Sequence, residues 1–221
     1  MRSVRTLPAM LIGFPILLAV GIVLIPVVAD YSDHALATRA ASQTWRWFSG
    51  HLIAALAFVS SVWIIATLDR WLGVRGHRLH TLTLIGLVFG AGLYAAGLGA
   101  DGVGPVAQMT AGQDPSSFFD GSGPWVTSIF VAGTALYGLG LISMVVTLNG
   151  LGVLLGAARW IAFLGALLFA CAPAIPSGWA LYGVAAAAFM VLLPIASAVL
   201  AEQKRAQPNT SPPAKSAGQG S

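Results

Sequence analysis

The chain has 221 residues, 57% hydrophobic and 8% charged, with a formal net charge of +4, whereas an average soluble domain carries about 25% charged residues. So few polar residues cannot cover a surface in water, which excludes a water-soluble globular protein and points to a multi-pass membrane protein. The 11 Lys and Arg residues lie in short clusters beside apolar runs, not in a stripe or a zinc-finger or RNA-binding motif, so no nucleic acid is expected and the lipid bilayer is the partner the composition names.

A membrane-crossing helix takes about 20 mostly apolar residues. The first such run, residues 7–29, follows Arg2 and Arg5. Val27-Val28-Ala29 resembles a signal-peptide cleavage site, but the apolar stretch exceeds the usual core of about 7–15 residues, so a retained helix is predicted. Segment 30–50 is read as an outer loop, and residues 51–68 and 81–99 as the second and third spans, joined by a basic turn with Arg70, Arg75 and Arg78. Residues 100–124 are rich in Gly, Pro, Asp and Ser, which predicts a long turn-rich loop. The fourth span is 125–148, the fifth ends near Pro173, and the sixth is 179–201 after a tight turn.

The runs are continuous, without the alternation of barrel strands, so the expected class is all-α: six transmembrane helices in one bundle. Residues 1–202 form the transmembrane domain and 203–221, with no apolar periodicity, a disordered cytoplasmic tail. If the N-terminus is cytoplasmic, nine basic residues lie inside: Arg2, Arg5, Arg70, Arg75, Arg78, Arg159, Lys204, Arg205 and Lys215. Only Arg39 and Arg46 lie outside. This bias predicts both termini in the cytoplasm of a bacterial cell, with the protein in its inner membrane.

The fifth run contains the one charge within an apolar stretch, Arg159-Trp160. Trp45, Trp47, Trp125 and Trp179 fall at predicted outer boundaries and Trp71 near an inner one. Tryptophan favours the membrane–water interface, so Trp160 is read as an inner boundary mark and Arg159 as an interfacial charge. The alternative starts the helix after Asn149-Gly150 and places Arg159 about 12 Å deep. Small residues at GxxxG-like spacing, Gly86 and Gly90 in the third run and Gly152 and Gly156 in the fifth, predict close helix packing, within the chain or with other membrane proteins.

Chemistry finds little foothold. His51 and His80 open helices at opposite faces, so they cannot share a haem, and no catalytic motif is present. The single cysteine, Cys171, permits no intrachain disulfide. No cofactor, no metal and no catalytic residue is expected. Candidate ligand-binding residues are the pair Arg159 and Trp160, the intramembrane hydroxyls Ser60, Ser61 and Thr134, and the interfacial His51. The leading expectation is a non-enzymatic membrane protein, either an accessory subunit or a binder of an apolar ligand. The alternatives are a small transporter or channel for a neutral solute, and a lipid-modifying enzyme using the outer Asp101, Asp114 or Asp120 with His34 or His51.

Overall fold

The computed structural model describes residues 5–175 and 177–205. It is all-helical, with no strand among the described residues. The elements are α1 (Leu7–Leu24), α2 (His34–Ala41), α3 (Thr44–Gly73), α4 (Thr81–Thr110), α5 (Ser116–Gly150), α6 (Ala157–Cys171) with a 3-10 turn at Ala172–Ala174, and α7 (Trp179–Arg205). Four whole helices, α1, α3, α4 and α7, and the Pro124–Gly150 part of α5 are long and apolar enough to cross a membrane. α6 is apolar but only 15 residues long. α7 continues to Arg205, three residues into the expected tail; residues 206–221 lie outside those described, as do Arg2 and Lys215.

The six longer helices pack in a closed ring: α1 on α3, α3 on α4, α4 on α5, α5 on α6, α6 on α7, and α7 back on α1. α1 is part of this core, burying Leu7, Leu11, Phe14, Leu18 and Ile22. The ring axis is filled by aromatic rings. Phe58 of α3 stacks on Tyr94 of α4 at 4.3 Å, and Tyr137 of α5 and Phe169 of α6 pack edge-on or tilted around them. Phe14 of α1 meets Phe58 edge-on.

α4 and α5 share the most extensive contact. Lipid tails are as apolar as leucine, so helices in a membrane associate by close packing and hydrogen bonds. Here glycines allow backbone contact. A Cβ added at Gly90 would lie 2.4 Å from the Tyr137 backbone nitrogen, and one at Gly140 would lie 2.9 Å from that of Leu87. Gly86 faces the Leu136 carbonyl in the same way. Two interhelical hydrogen bonds, Thr83 to Ser143 at 2.6 Å and Tyr94 to Thr134 at 2.7 Å, fix the register. The packing expected of Gly86 and Gly90 is therefore intramolecular.

Two sequence expectations need correction. Segment 100–124 is mostly helix: α4 runs through to Thr110, α5 starts at Ser116, and only five residues, 111–115, connect them. Pro105 lies inside α4. A helical proline frees the carbonyl four residues earlier, and that carbonyl, of Asp101, accepts the Trp47 indole N–H at 2.8 Å. Gly102 and Gly104 are sites of close approach by His51 and Phe118. The stop comes at Gly112, at φ 72°, where Gly112 donates to Met109 and Gln113 to Gln108, a Schellman ending.

Gly152 and Gly156 do not pack helices together. Gly152, at φ 70°, ends α5 the same way: its N–H donates to the Asn149 carbonyl, and Val153 donates to Leu148. Gly156, at φ 55°, precedes α6. The apolar segment between them forms an elbow that buries Leu154 completely.

The α4–α5 seam yields a paired prediction. Gly90→Ala should destabilise the protein by about 1–3 kcal/mol through overpacking. Gly92→Ala, where a Cβ meets nothing within 4 Å, should be neutral or stabilise by up to about 1 kcal/mol. Thermal unfolding of the two variants in one detergent measures both; equal effects would contradict the seam.

Candidate functional site

The elbow creates a lateral groove. α5 carries on to Gly150, and the turn through Gly152 and Gly156 brings the first turn of α6 back beside its last turns. Val145, Val146 and Asn149 of α5 face Arg159, Trp160 and Phe163 of α6 across a cavity of about 240 Å³ open to one side. Pockets that enclose a whole small molecule measure about 300–1,000 Å³. A smaller, side-opening groove suits part of a longer molecule.

Arg159 is the third residue of α6 and is exposed, as is Trp160. The guanidinium carbon lies 5.1 Å from the Trp160 ring centre. Two arginines at this end are engaged: Arg75 pairs with Glu202 and lies 3.7 Å over Trp71, and Arg78 pairs with Asp69 at 2.6 Å. Arg159 has no carboxylate partner among the described residues. Its place in the first turn of α6 agrees with the terminal reading and not with burial in mid-helix.

The candidate hydroxyls sit elsewhere. Ser60 donates to the Ala57 carbonyl and Ser61 to the Phe58 carbonyl, each at 2.7 Å. Ser61 borders a cavity of about 20 Å³ with Tyr137, room for about one water. Thr134 is bonded to Tyr94. These three belong to the core around the aromatic axis, away from the groove.

His51 lies at the opposite end, on α3, and is buried. Its Nδ1 is 2.6 Å from the Trp47 carbonyl, and its Nε2 is 3.2 Å from Asp101 Oδ2. A carbonyl only accepts, so Nδ1 carries a hydrogen. Nε2 is left facing the Asp101 carboxylate. Close packing and the Asp101 charge together push the nearby Tyr31 phenol above its ordinary range, although the ring stays partly exposed. Trp47 is buried against His51, with ring centres 4.6 Å apart, and Trp71 is buried too, so neither belongs to the interfacial belt. Trp45, Trp125 and Trp179 are exposed as a belt requires.

The outer acids are thereby assigned. Asp101 meets His51, and Asp120 meets His34 Nδ1. Asp33 caps α2 by accepting from Leu36. Asp114 accepts from the Ser116 backbone, a bond that holds its carboxyl below the ordinary range and keeps it ionised, the wrong state for a general acid. The exposed His34–Asp120 pair has the form of an oriented base. No serine, threonine or cysteine is bonded to its free nitrogen among the described residues. No group of three or more His, Cys, Asp or Glu suited to a metal ion occurs among them either.

No family model, curated protein or solved structure matches the chain. The sequence singles out Arg159 and Trp160, which line the groove, but not Asn149 and Phe163, which only the elbow brings near. It names Asp101 among the acids that could pair with His51 without choosing between them, and the structure brings Asp101 to it. The signal for Asp101 was its place four residues before Pro105, and for Trp47 its place four residues before His51 on one face of α3.

The buried His51–Asp101 contact predicts an order of stabilities. Asp101→Asn supplies an amide donor and lets a neutral imidazole satisfy both nitrogens, so the loss should be under about 1 kcal/mol. Asp101→Ala strands one buried hydrogen-bonding group and should cost about 1–3 kcal/mol. Thermal unfolding in detergent near neutral pH checks the order; Asn worse than Ala would contradict it.

Proposed function

We propose that the chain is a bacterial inner-membrane protein of six spans, with both termini cytoplasmic. In this reading it carries out no covalent chemistry and takes the apolar part of an amphiphilic ligand into the groove between α5 and α6. The observation that carries this reading is the groove itself. Its floor of Val145, Val146 and Phe163 is apolar, its rim holds Arg159, Trp160 and Asn149, and it opens sideways from the bundle.

The closed ring supports the sixth span. α6 and its 3-10 turn together rise roughly 28 Å, close to the hydrocarbon thickness of about 30 Å. The ion pair between Arg75 and Glu202 brings the α3–α4 connection and the end of α7 to one end of the bundle. Arg70, Arg78, Lys204 and Arg205 lie along the same segments, and Arg159 stands at the α5–α6 elbow, which the alternation of the helices puts at that end too. A single basic end is what the cytoplasmic side attracts. The aromatic axis favours a binder over a channel, since stacked rings leave no continuous polar path between the helices.

Topology is tested by cysteine labelling in a Cys171→Ala background. Arg159→Cys should react only with reagent on the cytoplasmic side, and Trp45→Cys only with reagent on the outer side. Labelling of both from one side would overturn the six-span reading.

Ligand binding is tested with a phosphatidylcholine whose acyl chain carries a photoreactive diazirine. Crosslinks should map to residues 145–163. Val146→Trp, at a position already 54% exposed, fills the groove without disturbing the core and should lower crosslinking there severalfold. Unchanged crosslinking would contradict the reading.

A further inference from the structure

The groove has a charge requirement as well as an apolar one, and this deepens the reading just given, on which it rests. We propose that Arg159, with Asn149, holds the phosphate of an anionic glycerophospholipid whose acyl chain lies along Val145, Val146 and Phe163.

The guanidinium has five N–H donors in a planar fork. Among the described residues no carboxylate or side-chain acceptor is bonded to that fork. The Trp160 ring, 5.1 Å away, offers a cation–π contact with no hydrogen-bond acceptor. The last carbonyls of α5 are nearby in the chain but already engaged: Thr147 accepts from Leu151, Leu148 from Val153, and Asn149 from Gly152. The Schellman ending that shapes the elbow thus already engages the last carbonyls of α5 in backbone bonds.

A phosphate diester fits this vacancy in bonding. It presents two oxygens at the spacing of the guanidinium fork, and charge-assisted bidentate pairs of this kind are among the strongest hydrogen bonds available to a protein. The exposed Asn149 amide adds a neutral donor on the facing wall.

Two further observations choose the ligand. The apolar surface continues past the groove through Leu155, Ile161 and Leu164, all exposed. A soluble anion would leave that surface unused, and an acidic peptide would set polar backbone against it. A lipid tail covers it. The groove lining also contains no acidic side chain. A zwitterionic headgroup would bring an ammonium with no carboxylate to pair it and with the Trp160 face already beside Arg159, whereas an anionic headgroup brings none. The chemistry therefore selects a phosphatidylglycerol-like lipid over phosphatidylcholine.

The test is native mass spectrometry of the full chain in detergent, titrated separately with dioleoyl phosphatidylglycerol and dioleoyl phosphatidylcholine. The wild type should prefer the anionic lipid severalfold, because the phosphatidylcholine ammonium offsets the phosphate charge that Arg159 meets, an exposed charge effect of up to about 1 kcal/mol. Arg159→Gln should bring the two lipids to equal affinity while its thermal unfolding matches the wild type, because the side chain is exposed. Arg159→Lys, a point charge without the fork, should fall between. Equal binding of both lipids by the wild type, with both weakened by Val146→Trp, overturns the headgroup assignment and leaves the apolar groove standing. Binding that Val146→Trp does not weaken overturns both. Displacement of the anionic lipid by soluble glycerol phosphate marks a simple anion site and also overturns the assignment.

Discussion

The structure depends on the backbone contact between α4 and α5. In lipid there is no hydrophobic drive to bring helices together, so contact must come from shape and polar bonds. Gly86, Gly90 and Gly140 supply the shape, and the Thr83–Ser143 and Tyr94–Thr134 bonds supply the register. That register places Tyr94 and Tyr137 on the ring axis, where Phe58 and Phe169 pack on them. It also fixes the position of α5. With 35 residues α5 spans roughly 52 Å, more than twice the rise of the 15-residue α6. The extra length lies at the start of α5, since Gly138 already meets Ala170 near the end of α6. The groove at the other end comes from the elbow, which sets the first turn of α6 beside the last turns of α5.

Polar groups in such a bundle must be satisfied within the protein. The end that holds His51 does this with one connected set. Pro105 frees the Asp101 carbonyl, Trp47 donates to it, the Trp47 carbonyl accepts from His51, and His51 closes on the Asp101 carboxylate. These bonds tie α3 to α4. The opposite end uses ion pairs instead: Asp69 and Glu202 are each met by an arginine. Arg159 has no carboxylate partner among the described residues, and the groove it lines holds no acid.

Much of this was legible in the sequence. Continuous apolar runs gave away helices, because nothing else places twenty such residues in a row. The basic clusters marked segments that the fold brings to one end. Segment 100–124 was misread because glycine and proline were counted as breakers by number. Their meaning is positional. Gly102 and Gly104 are packing contacts, Pro105 is compensated by Trp47, and Gly112 alone of these is a true stop, recognisable by the Asp114-Pro115 start signal just after it. The same error in reverse made Gly152 and Gly156 look like a packing motif when they shape a turn. Among site residues, Arg159 stood out because charge is rare in such a chain. Asn149 and Phe163 did not, because their proximity to it arises from the elbow, which no periodicity encodes. Ser60 and Ser61 stood out as polar and proved to be bonded to their own helix.

Occupation of the α5–α6 groove by lipid is visible in a density map of the protein in bilayer nanodiscs containing phosphatidylglycerol. Tubular density is expected along Val145, Val146 and Phe163, ending in a compact peak within hydrogen-bond distance of the Arg159 guanidinium. A groove closed by its own side chains, or by a second copy of the chain, would contradict it.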